Sequence, residues 1–180
     1  MNEIVRLSVL GGGAFLLASL ACWQDWKTRR IRNWLTVSGL GLGLVANLAI
    51  GGGRGLFLAL AGAGLGLAIL LPVVLLRGLG AGDWKLMGAL GAWLGPAMVV
   101  RVILVSVFVA GAWALVEIIR RRRVKQTIVN LWELVRGFVV FGLRPHPELT
   151  IDNPGLIRLP FGVAVAAATA ISVSMAWLVR

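Results

Sequence analysis

The chain has 180 residues, of which 59% are hydrophobic and 14% are charged, and its mean hydropathy is +0.91. A soluble globular domain is about half apolar and about a quarter charged, so the composition excludes that class and predicts an integral membrane protein. The net charge is +11. Because the cations cluster between apolar runs, as in cytoplasmic loops of membrane proteins, we expect anionic lipid, and not nucleic acid, as the counter-charge.

The first apolar segment, residues 4–23, is interpreted as a retained membrane span. Its start carries Glu3 beside the single cation Arg6, which is not the basic start of a signal peptide. Cys22 is the single cysteine of the sequence, which excludes a disulfide framework and a zinc site built from several cysteines. The length predicts one membrane-embedded domain over residues 1–180.

Apolar segments of about 20 residues predict membrane-spanning helices. We predict an all-α, polytopic fold with six spans over about residues 4–23, 34–50, 56–77, 84–95, 97–119 and 160–179. As one helix, residues 84–119 would be about 54 Å long, whereas the hydrocarbon core is about 30 Å thick. We therefore divide this stretch at Gly95-Pro96, which leaves a first helix of only about 18 Å.

Residues 126–141 predict an amphipathic helix on the cytoplasmic surface. Asn130, Glu133 and Arg136 recur at every third position among apolar residues, which favours a helix that lies on the membrane. The alternative, in which this helix crosses the membrane, would move the final loop to the other side.

The distribution of Lys and Arg predicts the orientation. The six-span layout puts all of them on one side except Arg6, Arg54, Arg101 and Arg180. The rich side is expected to be cytoplasmic, with both termini outside. Four tryptophans fall at this boundary, as an interfacial aromatic belt does: Trp23, Trp26, Trp34 and Trp84. Glycines recur within the spans, and close helix packing is their expected role.

Asp25 and Asp83 are the two acidic residues that the sequence places at the cytoplasmic ends of spans. The other five acids lie at the terminus, beside the Arg120–Arg123 run, in the polar stripe or in the final loop: Glu3, Glu117, Glu133, Glu148 and Asp152. Ionisable groups at membrane depth are costly and are candidates for function. The simpler alternatives are that Asp25 pairs with Lys27 or Arg29 and that Asp83 caps a helix.

Two facing carboxyl groups can act as base and acid without a metal or another cofactor. Because like charges cannot both ionise easily at close range, one group keeps its proton. The ionised group can then take a proton from water while the other protonates a peptide carbonyl. The helix dipole favours Asp83, which precedes a helix, as the ionised base and Asp25, which follows one, as the acid. Gly80 and Gly82 would let a substrate backbone approach.

Residues Gly80-Ala81-Gly82-Asp83-Trp84-Lys85-Leu86 resemble the Gly-x-Gly-Asp-x-Lys-Leu signature of type IV prepilin peptidases, the bacterial GxGD membrane aspartic peptidases. Asp25, followed by Ile31-Arg32-Asn33, resembles the first motif of that family, an Asp followed by Ile-Pro-Asn, although Arg32 replaces the usual proline. Leu159-Pro160-Phe161-Gly162 resembles the opening of the last helix of the family.

The resemblance implies a leader peptidase of the bacterial inner membrane. Such enzymes cut the basic leader from prepilins or pseudopilins at the cytoplasmic face. The implied catalytic pair is Asp25 and Asp83, supported by Gly80, Gly82, Lys85 and Asn33. Larger members add an N-terminal region with Cys-x-x-Cys zinc motifs and also methylate the new N-terminus. Because it has a single cysteine, the chain cannot contain these zinc motifs. It is instead similar to the compact enzymes of tight-adherence (Flp-type) pilus systems.

Two alternatives belong to other functional classes. A non-catalytic scaffold of pilus assembly would be free to lose one of the two aspartates. A small proton-coupled transporter would have its acidic residues near the middle of the bilayer, whereas Asp25 and Asp83 are predicted near one face.

Overall fold

The structure, a computed structural model, describes residues 3–122, 124–125, 127–129, 132 and 161–178, and these contain helices but no strand. The four long helices are α1 (Glu3–Thr28), α2 (Asn33–Leu75), α3 (Ala81–Arg120) and α4 (Phe161–Leu178). Each is long and apolar enough to cross a membrane. Most of the predicted surface helix, residues 126–141, lies outside the described residues.

Helix α2 folds back on itself at Gly52. This residue has φ 59° and ψ −149°, a conformation that interrupts the helix and that glycine adopts without steric cost. A Cβ atom on Gly55 would clash with the carbonyl oxygen of Asn47, although eight residues along a straight helix are separated by about 12 Å. The two arms of α2 are therefore antiparallel, with the break between the predicted spans 34–50 and 56–77.

Helix α3 also turns back, at Gly95, where φ is 76° and ψ is 176°. A Cβ atom on Gly66 would lie 2.6 Å from the carbonyl oxygen of Met87 and 3.3 Å from Cγ2 of Val99. On a straight helix Met87 and Val99 would be about 18 Å apart. The break therefore divides α3 at the predicted Gly95-Pro96 position.

The helix ends differ from the predicted boundaries near both aspartates. Helix α1 continues to Thr28, so Asp25 lies inside the helix and does not follow it. Helix α3 begins at Ala81, with Gly80 as its N-cap, so Asp83 lies in the first helical turn and does not precede it. Both helices extend into polar residues, because backbone hydrogen bonds do not require apolar side chains. The apolar segments predicted from the sequence are therefore shorter than the helices.

Glycines let α2 and α3 pack with their backbones in contact. A Cβ atom on Gly62 would clash with the carbonyl oxygen of Gly91, and one on Gly91 would clash with that of Gly62. By contrast, Gly41 and Gly64 face open space. The glycines that face a neighbouring helix therefore have the expected packing role, since small residues allow membrane helices to approach closely. The glycines on the other faces do not.

The four tryptophans predicted at the membrane boundary divide into two groups. Trp23, Trp26 and Trp34 are exposed, as residues of an interfacial belt are. Trp84 instead packs against α2 and donates its indole N–H to the carbonyl oxygen of Leu67, at 2.7 Å. Trp84 therefore connects the start of α3 to α2. The sequence predicted only its position at the membrane boundary.

Candidate active site

Asp25 is buried near the end of α1 and is held by the start of α4. Its side chain is 7% exposed, and Oδ2 accepts a hydrogen bond from the backbone N–H of Gly162, at 2.9 Å. Gly162 is the second residue of α4, and the first N–H groups of a helix have no partner within the helix. The hydrogen bond therefore gives a partner to the N–H of Gly162 and to the carboxyl group of Asp25. The N–H and the dipole of α4 also stabilise a negative charge on Asp25.

The contact leaves no room for a side chain on Gly162. A Cβ atom there would lie 3.0 Å from Cβ of Asp25 and 3.1 Å from its Oδ2. The two residues are 137 positions apart in the chain. The sequence marked Gly162 only as part of the opening of the last helix, and no pattern indicated that its backbone would hold Asp25.

Asp83 lies in the first turn of α3, close enough to Asp25 for the two carboxyl groups to interact electrostatically. Its Oδ1 is buried and has no hydrogen-bond partner among the described residues. A buried polar atom without a partner costs free energy, and the cost is much larger for a charged group than for a neutral one. These surroundings favour a neutral, proton-carrying carboxyl group on Asp83.

The two glycines before Asp83 allow close contacts. A Cβ atom on Gly82 would lie 3.0 Å from the carbonyl oxygen of Ile31, in the linker between α1 and α2, and one on Gly80 would lie 3.1 Å from Oδ2 of Asp83. Ile31 is itself buried. Gly82 therefore lets the start of α3 pack against the segment that follows Asp25, a role within the protein that the sequence had not indicated.

A hydrogen bond joins Lys85 and Asn33, both predicted as support residues. Nζ of Lys85 donates to Oδ1 of Asn33, at 3.1 Å. Because Asn33 begins α2 and Lys85 lies in the second turn of α3, this bond connects the starts of the two helices. Lys85 is two residues after Asp83, and Asn33 follows the linker that comes after the helix of Asp25.

Arg32, which stands where the family pattern has proline, is accommodated as the N-cap of α2. Its φ of −74° is a value that proline also adopts. Its backbone N–H, which proline lacks, donates to Oε1 of Gln24, at 3.1 Å. The replacement therefore keeps the backbone conformation and adds one hydrogen bond to α1.

All six predicted site residues lie at one end of the helix bundle. The contacts above connect Asp25, Asp83, Gly82 and the Lys85–Asn33 pair through α1, α2, α3 and α4. The described residues contain no group of three or more His, Cys, Asp or Glu side chains that could hold a metal ion. Two carboxyl groups in different surroundings can divide the roles of general base and general acid.

Comparison with known proteins gives one match. The model of the type IV leader peptidase family matches residues 12–115, more than half of the chain. This range contains Asp25, Asp83 and the four support residues. No curated protein and no solved structure matches the chain.

Proposed function

Because the chain belongs to the type IV leader peptidase family, we propose that it is an aspartic endopeptidase that uses Asp25 and Asp83 to remove the basic leader from prepilins or pseudopilins. The observation that carries this proposal is that the two aspartates lie at the same end of the bundle: Asp25 lies near the end of α1 and Asp83 in the first turn of α3, which packs against the segment that follows Asp25. The two carboxyl groups therefore lie close enough to interact electrostatically.

In the proposed mechanism, Asp25 is the general base and Asp83 is the general acid. This reverses the roles that the helix dipole alone predicts from the sequence. The reversal is supported by the hydrogen bond from Gly162 to Asp25 and by the buried, unpartnered Oδ1 of Asp83. Asp25 lies inside α1 and does not follow it, and the N-terminus of α4 faces Asp25.

The steps conserve protons. Asp25 takes a proton from water as the water oxygen bonds to the peptide carbonyl carbon, and Asp83 gives its proton to the carbonyl oxygen, so that a gem-diol forms. Asp25 then passes its proton to the amide nitrogen as the C–N bond breaks. One diol hydroxyl returns a proton to Asp83, which restores the starting state of the pair.

We also propose six membrane crossings, with the aspartate end at the cytoplasmic face of the inner membrane. Two observations support this layout: α2 folds back at Gly52, and α3 turns back at Gly95. Each arm then counts as one crossing. The excess of Lys and Arg at the aspartate end agrees with the positive-inside rule.

Co-expression with a candidate prepilin tests the peptidase proposal. Leader removal would be followed as a gel shift, with the cut position read by mass spectrometry. We expect Asp25→Asn and Asp83→Asn each to lower cleavage by at least about a thousandfold, because neither step proceeds without both groups. A Glu117→Gln variant is the matched control, since Glu117 pairs with Arg121 on the last turn of the second arm of α3.

The control variant should process the prepilin at the wild-type rate. Membrane insertion and thermal unfolding of each variant would be measured in parallel, so that a loss of activity is not confused with a loss of fold. Cleavage by both Asp→Asn variants at the wild-type rate would overturn the aspartic mechanism.

A further inference from the structure

A cavity of about 310 Å³ lies at the end of the bundle away from the aspartates. Its wall includes the side chains of Leu7, Leu10, Leu58, Met98 and Val173, which come from all four helices. Arg6 is also part of the lining, and it precedes Asp25 on α1 by a distance of about 28 Å at 1.5 Å per residue. The cavity is therefore separate from the candidate active site.

The break in α3 explains why this space is not filled by protein. The first arm, residues 81–94, is about 21 Å long, whereas the hydrocarbon core of a bilayer is about 30 Å thick. Gly95 and Pro96 turn the chain before it reaches the far end, and both residues line the cavity. Because most of the lining residues are apolar and apolar walls retain water poorly, hydrocarbon is the expected filling of most of this space inside a bilayer.

Arg6 adds a charge to the apolar wall. It is the one cationic side chain among the described residues that line the cavity, and no hydrogen bond or ion pair joins it to the rest of the described chain. Asn47, the polar neighbour, donates its amide N–H groups to the carbonyl oxygens of Ala92 and Gly43, at 2.8 and 3.1 Å. The amide of Asn47 is therefore already engaged, whereas the guanidinium of Arg6 is available to bind an anion. Phosphate is a ligand that arginine prefers.

We propose that the cavity binds one anionic phospholipid, with an acyl chain against the apolar wall and the phosphate group on Arg6. The lipid replaces the missing length of the first arm of α3 and completes the bundle at this end. The site is independent of the proposed peptidase activity, because none of the residues that form it belongs to the aspartate site.

The test uses the full chain, purified in detergent and stripped of lipid. Native mass spectrometry and thermal unfolding would be measured during titration with phosphatidylglycerol and with phosphatidylcholine of the same acyl chains. We expect one phosphatidylglycerol per chain, with tighter binding than phosphatidylcholine. Arg6→Gln should weaken phosphatidylglycerol binding roughly fivefold, as expected for one cation near a lipid headgroup, and should leave phosphatidylcholine binding unchanged.

Arg54→Gln and Arg101→Gln are matched controls, because both arginines are exposed and neither lines the cavity. Both should bind phosphatidylglycerol as the wild type does. Leu58→Trp, which fills the cavity from its wall, should abolish binding of both lipids. Equal binding of the two lipids by the wild type, an equal loss in the control variants, or full stabilisation by inorganic phosphate alone would each overturn the proposal.

Discussion

At the scale of single residues, the two aspartates differ in what surrounds them and not in their chemistry. Asp25 receives a backbone N–H from another helix, whereas one oxygen of Asp83 is buried without a partner among the described residues. Two identical side chains can therefore take different roles in the proposed reaction. The difference depends on Gly162, a residue whose contribution is its backbone and its lack of a side chain.

Gly162→Ala should lower the turnover number, but by less than the roughly 100-fold that a displacement of about 1 Å at a catalytic group can cost, because the added methyl group displaces Asp25 by only a few tenths of an ångström. The added Cβ atom would lie 3.0 Å from Cβ of Asp25 and must push the carboxyl group away from its position. KM should change little, since Gly162 acts through Asp25. Steady-state kinetics with a purified prepilin would measure both constants.

The control for that variant is Gly64→Ala, which adds the same methyl group to a helix position that faces open space. It should retain wild-type kinetics. An unchanged turnover number in Gly162→Ala would contradict the role assigned to this contact, as would a loss that appears entirely in KM.

Lys85 and Asn33 should act as a unit. If the hydrogen bond between them positions the starts of α2 and α3, Lys85→Met and Asn33→Ala should lower activity by similar factors, and the double variant should be no worse than either single one. A double-mutant cycle on prepilin cleavage measures this coupling. Additive losses would mean that the two side chains contribute separately.

At the scale of the helices, the contact between α2 and α3 depends on Gly62 and Gly91. Their backbones approach so closely that each occupies the space a Cβ atom on the other would need. The packing brings the first arm of α3, and with it Asp83, against the second arm of α2. Close packing of small residues is the interaction expected between membrane helices, which gain little from the hydrophobic effect inside a bilayer.

Gly91→Ala should lower the free energy of unfolding by about 1–3 kcal/mol, the usual cost of overpacking a well-packed core. The change requires the helices to move apart, because the atom that the methyl group meets is backbone. Gly41→Ala, at an open helical position, should be neutral or should stabilise the protein by up to about 1 kcal/mol. Thermal and denaturant unfolding in detergent would compare the two, and an equal effect would contradict the packing argument.

At the scale of the whole molecule, the two breaks bring the ends of α2 and α3 to the aspartate end of the bundle. Arg29, Arg77 and Arg122 follow the last residues of α1, α2 and α3, with φ of 52°, 54° and 55°. This left-handed conformation usually carries glycine after a helix. Each of these three helices is thus followed within two residues by an arginine at the aspartate end, where positive charge also interacts favourably with the helix dipole.

The number of crossings can be tested with single cysteines in a Cys22→Ser background. With six crossings, Arg30→Cys and Gly78→Cys lie on the same side of the membrane. If α2 crossed once as a single span, they would lie on opposite sides. Both positions are exposed, so labelling with a membrane-impermeant maleimide in intact cells and in inverted vesicles would distinguish the two layouts.

We expect both cysteines to react in inverted vesicles and neither to react in intact cells. Arg54→Cys, at the predicted opposite end, should show the reverse pattern and serves as the control for accessibility. Reaction of position 30 and position 78 from different sides would contradict the proposed six crossings.

The prediction from sequence succeeded where local physics decides the outcome. Apolar composition dictates helices of membrane-spanning length, and the breaks fall where the sequence predicts them, at Gly95-Pro96 and between the predicted spans 34–50 and 56–77. Asp25 and Asp83 were selected because charge is costly in an apolar chain, and their catalytic role stays a prediction. The predicted helix ends near both aspartates were wrong. Polar residues such as Gln24 and Lys27 continue α1 beyond the apolar segment from which its end was predicted.

The sequence by itself determined the membrane class, the helical elements, the breaks at the glycines and the two acidic residues of the candidate site. Tertiary structure alone decided which aspartate receives a hydrogen bond, because the donor, the N–H of Gly162, lies 137 residues away in the chain. It also decided where the short first arm of α3 leaves a cavity. Both depend on how distant helices pack, and neither short-range periodicity nor composition contains that information.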